Sequence, residues 1–195
     1  METLVLATHN KGKKREFDTL LQGLVGEVKS AGDLGLTEPP ETGTTFLENA
    51  TMKAVTAMKA TGLPCLSDDS GMCVNALAGA PGVYSADWAG PDKNFKKAMN
   101  DVHDKMQGAT DNGAQFVCVL VLAYPNGETK VFEGVCEGSI VWPPRGEAGF
   151  GYDPMFLPQG AEKTFGEMSA EEKHAYSHRA KAVDKLISYL KGEKI

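Results

Sequence analysis

The run Leu4-Val5-Leu6-Ala7-Thr8-His9-Asn10-Lys11-Gly12-Lys13 constrains this chain more than any other segment. Its four consecutive apolar residues suit a strand covered on both faces. The polar residues after them break the strand. Behind the break Phe17, Leu20, Leu21 and Leu24 recur at helical spacing, which predicts an amphipathic helix. A strand that ends in a short polar loop and reopens as a helix is the unit from which α/β folds are built. The same junction offers unpaired backbone N–H groups and the positive end of a helix dipole, a seat for phosphate. Lys13 adds a formal charge, and Thr8 and Asn10 add short polar groups. An ordinary first strand and helix with a polar loop fits these residues equally well.

Two familiar nucleotide motifs are excluded. Walker A needs glycine, four residues, then Gly-Lys-Ser/Thr. Gly12-Lys13 has no glycine five residues before it and is followed by Lys14. The segment Gly149-Phe150-Gly151-Tyr152-Asp153-Pro154 places Pro154 where a dinucleotide fingerprint needs its third glycine.

At 195 residues the chain suits one domain, residues 1–195, with no linker, repeat or low-complexity segment dividing it. The net charge of −6 argues against broad binding of nucleic acid, which needs a basic face. Anionic ligands must therefore meet a local cluster of Lys and Arg. No run of 18 or more apolar residues occurs, and no apolar stretch follows a basic N-terminus, so neither a membrane span nor a signal peptide is expected. Cys65, Cys73, Cys118 and Cys136 lack zinc-like pairing, and the expected compartment is the reducing cytoplasm.

Further along, Thr37-Glu38-Pro39-Pro40-Glu41-Thr42-Gly43 reads as a loop stiffened by its prolines. A helix to Thr61 follows, with Thr44 or Thr45 as N-cap and an apolar face of Phe46, Ala50, Ala54 and Ala57. Leu63 to Ser67 reads as a short buried strand ending in a turn at Asp68-Asp69-Ser70-Gly71. Phe95, Met99, Val102 and Met106 mark another helix. Residues 115–123 are strongly strand-like, Pro125-Asn126-Gly127 is a hairpin turn, and Thr129 to Val135 is the returning strand, with Gly138 to Val141 as a further one. Ser169-Ala170-Glu171-Glu172 is a capping box that opens a helical stretch containing Val183, Leu186, Ile187 and Leu190. Helices between strands plus a long hairpin predict a mixed α/β sheet with helices packed around it.

Several of these elements carry chemistry. In an extended segment neighbouring side chains point to opposite faces, so Asp68 and Asp69 cannot be assumed to share one site: one can face a cleft while the other braces the turn. Turn chemistry accounts for Asp, Ser and Gly equally well. A hard cation such as magnesium takes one or two carboxylates, with water and phosphate completing its shell, and one glutamate with one aspartate satisfies that. Glu38 and Glu41 are also ordinary surface acids. Lys53 is more telling, because lysine is rarely buried unless paired, yet this one sits on the apolar stripe of its helix. It either snorkels to the edge or faces a cleft beside a carboxylate or phosphate. Lys173, His174, Tyr176, Ser177, His178 and Arg179 gather cationic and donor groups within one to two turns. The run Phe150 to Asp153 offers an aromatic ring for a planar base.

Taken in order, the segments Thr8 to Lys13, Glu41 to Ala50, Asp68-Asp69-Ser70-Gly71, Gly79-Ala80-Pro81-Gly82-Val83-Tyr84-Ser85-Ala86, Gly149 to Pro154 and Ser177-His178-Arg179 closely resemble the inosine triphosphate pyrophosphatase family, also called Ham1-like, over essentially the whole chain. The resemblance implies a homodimeric, magnesium-dependent enzyme. It would hydrolyse the noncanonical purine nucleotides ITP, dITP and XTP to the monophosphate and pyrophosphate. It implies an elongated, twisted mixed sheet with surrounding helices, folded as two lobes with a central cleft. Thr8, His9, Asn10, Lys11, Gly12 and Lys13 would then meet the triphosphate, with Lys53 alongside. Glu41 and Asp69 would serve the metal, Asp69 would also act as general base, and Ser70 would touch substrate. Phe150, Gly151, Tyr152 and Asp153, with Lys173, His178 and Arg179, would hold the purine. One departure stands out. Asp87 and Trp88 follow Tyr84-Ser85-Ala86 where the family usually has a basic residue. Two other readings fit the same residues: a Maf-like pyrophosphatase acting on other bases, and a nucleotide-binding sensor that does not hydrolyse.

Overall fold

Strand β1 (Thr3–Leu6) lies between two parallel neighbours, β2 (Glu27–Ser30) and β3 (Cys65–Val74), the interior position that its apolar run Leu4-Val5-Leu6 suits. Leu4, Val5 and Leu6 are at most 1% exposed. The computed structural model describes residues 1–9 and 11–193, with Lys11, Gly12, Arg15 and Glu16 as backbone only. Helix α1 (Lys11–Leu20) follows β1 and buries Phe17, while Leu21 is buried just past its end. Leu24, expected on the same helix, falls in the turn beyond it.

Helix α2 (Phe46–Thr61) begins as its sequence dictates. Thr45 is the N-cap, its side chain accepts from the Glu48 N–H, and the Glu48 carboxylate reaches back to the cap, a complete capping box. The helix stops at Gly62, whose φ of 66° is the left-handed conformation that ends helices. Its buried face carries Asn49, Ala50, Lys53, Ala54 and Ala57.

Strand β3 corrects one expectation. The turn placed at Asp68 to Gly71 is absent, and the strand continues through both aspartates to Val74. Residues 65–69 are all buried, so sheet pairing overrides the local turn preference of Asp, Ser and Gly. A second correction concerns β4 (Gly113–Ala123) and β5 (Thr129–Ile140), joined by a hairpin in which the Tyr124 N–H donates to the Glu128 carbonyl at 2.9 Å. The two strands expected at Thr129–Val135 and Gly138–Val141 are one. Gly138 lies inside that single strand and admits a neighbour. A Cβ there would lie 2.4 Å from the Leu157 carbonyl oxygen of β6 (Phe156–Pro158), which pairs antiparallel with β5.

Helix α3 (Phe95–Lys105) buries Ala98, Met99 and Val102. The Ser169 capping box opens only a short helix, α4 (Ala170–His174), distinct from α5 (His178–Leu190). Ser177 separates them, because its hydroxyl accepts the Arg179 N–H at 3.1 Å and the Ala180 N–H at 3.3 Å and so caps α5.

The strands form one mixed sheet in the order β2-β1-β3-β4-β5-β6, with the helices around it. The chain divides into two compact units, one made of Met1–Asp69, Val119–Glu133 and Ala182–Ile195, the other of Ser70–Cys118 and Gly134–Lys181. No linker marks the division, because β3, β4 and β5 each run from one unit into the other. In the first unit Val5, Ala57 and Cys65 pack together. In the second, Met72, Phe116, Met155, Phe156 and Phe165 belong to one larger apolar cluster.

Candidate active site

In the first unit the alternation of β3 separates its aspartates as expected. The Asp68 carboxylate forms an ion pair with Lys13 Nζ of α1, so Asp68 anchors a lysine rather than bracing a turn. Asp69 faces Lys53 instead. Lys53, on the buried stripe of α2, donates to Glu41 Oε1 at 2.5 Å and to the Asp68 carbonyl at 2.9 Å, and lies 3.6 Å from Asp69 Oδ1. Only 6% exposed, it is paired rather than snorkelling. Burial works against its charge, but the carboxylates of Asp69, Glu41 and Asp68 outweigh burial and hold its pKa above the ordinary lysine value.

Asp69 is the unusual acid. Burial, reinforced by the nearby charges of Glu41 and Asp68 and opposed by Lys53 and Asn49, raises its pKa from 3.8 to about 6. Its Oδ2 is buried and makes no hydrogen bond among the described residues. An orphaned carboxylate oxygen is costly, and costs of this kind are tolerated where a ligand completes the site. Two carboxylates around one ammonium, with one oxygen unsatisfied, fit a hard divalent cation that keeps water and phosphate as its other ligands. Among the described residues no three His, Cys, Asp or Glu side chains group closely enough to hold an ion by themselves.

Sequence reasoning missed Asn49. It is 2% exposed, its Oδ1 accepts the Gly43 N–H at 2.8 Å, and its side chain acts to lower the pKa of Asp69. It thus connects the loop bearing Glu41 to the aspartate. The available signal was its position four residues before Lys53 on an alanine stripe, where a polar side chain has to be satisfied. A Cβ on Gly43 would sit 2.6 Å from Asn49 Oδ1, so the approach requires glycine.

The loop after β1 is less open than expected. His9 Nε2 donates to the Leu36 carbonyl at 2.6 Å and Nδ1 lies 3.7 Å from Glu38. The Gly32 N–H donates to the Thr8 carbonyl at 3.4 Å. Lys11 and Gly12 form the backbone that opens α1, and Asn10 lies outside the described residues.

The second unit holds the other predicted residues. Ser70 is half-buried on β3. Phe150 sits between Gly149 (φ 73°) and Gly151 (φ 66°), and the residue is 62% exposed. The Lys173 ammonium lies 5.0 Å from the Phe150 ring centre and 5.0 Å from that of Phe165, and the Arg179 guanidinium lies 5.9 Å from Phe150. His178 is buried and stacks on Phe116, 4.8 Å between centres. Tyr152 is buried too, its hydroxyl donating to the Ser85 carbonyl at 2.8 Å. The structure therefore uses Tyr152 as core and leaves Phe150 as the available aromatic face. Asp87 is exposed, and Lys105 lies over the neighbouring Trp88 ring at 5.7 Å.

Chemically, the first unit joins two lysines to three carboxylates with an unsatisfied acceptor, a set that suits a polyanion bound with a cation. The second offers a planar apolar face beside cationic donors, which suits an aromatic ring bearing carbonyl oxygens.

Comparison with known proteins agrees over almost the full length. A model described as the Ham1 family matches residues 4–189. A protein of Mesorhizobium japonicum named dITP/XTP pyrophosphatase is 55% identical over 199 residues, covering 94% of this chain and 90% of its own length. One of the same name from Gluconobacter oxydans is 53% identical, covering 95% and 89%. The Ham1 protein of Staphylococcus aureus superposes with a TM-score of 0.92 at 39% identity, covering 99% of this chain and 100% of that one. A HAM1 protein of Coxiella burnetii gives 0.93 at 38%, covering 98% and 100%. The chain belongs to the Ham1 family.

Proposed function

We propose that this protein is a nucleoside triphosphate pyrophosphatase that hydrolyses noncanonical purine nucleotides, dITP, ITP and XTP, to the monophosphate and pyrophosphate. The observation that carries this reading is the Glu41–Lys53–Asp69 arrangement with its unsatisfied Asp69 oxygen, in a chain whose relatives bear the name dITP/XTP pyrophosphatase. Family membership also takes away the support for the Maf-like alternative.

Glu41 and Asp69 would hold Mg2+. When bound, the ion neutralises charge that builds on the phosphates and on the departing pyrophosphate. The chain's own groups do the rest. Thr8 to Lys13 at the start of α1 receive the triphosphate, and Lys13 and Lys53 exchange their carboxylate partners for phosphate oxygens. Asp69 orients a water and accepts its proton as the water oxygen bonds to the α-phosphorus. The bond from that phosphorus to the bridging oxygen breaks, and pyrophosphate leaves with the electron pair. In the metal-free site burial holds this carboxyl at about 6, so it is ionised at neutral pH. Ser70 contacts the substrate from β3.

On the base side, Phe150 stacks on the purine, with Gly151, Tyr152 and Asp153 shaping the turn that presents it. Lys173, His178 and Arg179 offer donors to a 6-keto oxygen. Adenine presents an amino donor at that position, so the same groups would be left unpaired against ATP. The same reading makes the protein a homodimer acting in the cytoplasm. No helix among the described residues is long and apolar enough to cross a membrane, and the four cysteines are free.

The test is pyrophosphate release across a panel of nucleoside triphosphates. Turnover of XTP, dITP and ITP should exceed that of ATP in kcat/KM by about two orders of magnitude. Preference for pyrimidine or methylated nucleotides would favour Maf-like chemistry, and tight binding with negligible turnover would favour a sensor.

A further inference from the structure

The Asp153 carboxylate is built to hold other protein groups. The residue is 2% exposed, and its side chain shows only 4% of its surface. One oxygen, Oδ2, accepts both the Phe150 backbone N–H, at 2.9 Å, and the ammonium of Lys173. Gly149 is cut away to make room, since a Cβ there would lie 2.0 Å from the same oxygen. With Oδ2 so occupied, the carboxylate's charge is committed to protein groups rather than to a base. Lys173 is held on three sides, by this carboxylate and by the faces of Phe150 and Phe165. A long flexible side chain is thereby confined to one position, and an ammonium has three donors, of which Asp153 takes one.

We propose that Asp153 is a positioning residue for base discrimination: it does not contact the purine but fixes Lys173 and the exposed Phe150 ring relative to each other. The inference deepens the proposed function and rests on Lys173 facing the base. A 6-keto oxygen gains from a donor held at one place, because no rotamer freedom is lost on binding. A 6-amino group meets the same fixed ammonium as a like donor. Freeing Lys173 therefore weakens binding of the keto purine and relieves the penalty on the amino purine. The ratio between them reports the fixation.

The experiment compares kcat and KM for ITP and ATP in the full-length protein and three variants. Asp153→Asn keeps the size of the side chain and an acceptor for the Phe150 N–H but removes the charge that holds Lys173. The ITP-to-ATP ratio of kcat/KM should fall at least tenfold, through KM for ITP, with kcat for ITP within about threefold of wild type. A role confined to stability would lower both substrates together and leave the ratio intact, and that result overturns the proposal. Asp153→Glu keeps the charge but displaces it against Gly149, and it should shift the ratio in the same direction; an unchanged ratio in this variant also counts against the proposal, even if Asp153→Asn does not fold. Lys173→Met separates the two levels of inference. A collapse of the ratio there with none in the Asp153 variants sinks the positioning role alone. An unchanged ratio in Lys173→Met sinks the assignment of this turn to the base.

Discussion

Replacing Asp69 by asparagine should make the metal-free protein more stable while destroying its activity, and the gain should depend on pH in a defined way. The residue is 7% exposed, and burial raises its pKa from 3.8 to about 6 despite the opposing charge of Lys53. At about 1.4 kcal/mol for each tenfold change in proton affinity, holding Asp69 ionised costs the fold roughly 3 kcal/mol at pH 8. Asparagine is the neutral isostere and carries no such cost. The sign follows from proton binding. Between 3.8 and about 6 the folded state binds the extra proton, so wild-type stability falls as pH rises through that window and the cost is complete above it. The advantage of Asp69→Asn should therefore be roughly 3 kcal/mol at pH 8 and roughly half that at pH 5. Urea unfolding of both proteins at several pH values, in the presence of a chelator, measures the difference directly. A difference that does not change with pH, or a variant less stable than wild type at pH 8, would refute the reasoning. Turnover in the same variant should fall by about 10²–10⁴-fold, the usual scale for a positioned acid or base.

Lys53→Met should raise KM for the nucleotide and also destabilise the fold by up to about 3 kcal/mol, because Asp69 loses its buried counter-charge; thermal and chemical unfolding read the second effect. Gly43→Ala drives a methyl to within 2.6 Å of Asn49 Oδ1 and 2.7 Å of Glu48 Cβ, so the Glu41 loop must move. The apparent Mg2+ requirement in a turnover assay should then rise by about tenfold, with unfolding shifted by no more than about 1–3 kcal/mol. Chelation of divalent ions should abolish turnover while circular dichroism stays that of a folded protein, and excess Mg2+ should restore the rate; turnover that survives chelation would remove the metal from the account.

What the sequence disclosed was local, and what it concealed was made by contacts between distant residues. Strand β1 was readable because burial on both faces leaves four apolar residues in a row, and α2 because its capping box and terminal glycine stand at its two ends. Lys53 betrayed itself as the one charge on an alanine stripe. Asp68 to Gly71 misled because their short-range preferences favour a turn, whereas their place in a central strand of the sheet holds them extended. The gap left between Val135 and Gly138 misled as well, since one strand runs through it and Gly138 lets Leu157 approach. Strands β2 and β6 are too short, at four and three residues, to show any period. Nothing in the order of residues links Asp153 to Lys173 or Asn49 to Asp69. Those pairs exist only once the strands and helices have brought them together.

The central claim is tested most directly by the fate of a single oxygen atom. XTP hydrolysed in oxygen-18 water should yield labelled monophosphate and unlabelled pyrophosphate, with no diphosphate and no orthophosphate as first products, because water attacks the α-phosphorus and pyrophosphate departs intact. ATP under the same conditions should react about a hundredfold more slowly. Label in the pyrophosphate, orthophosphate as the first product, or equal turnover of ATP would contradict the account.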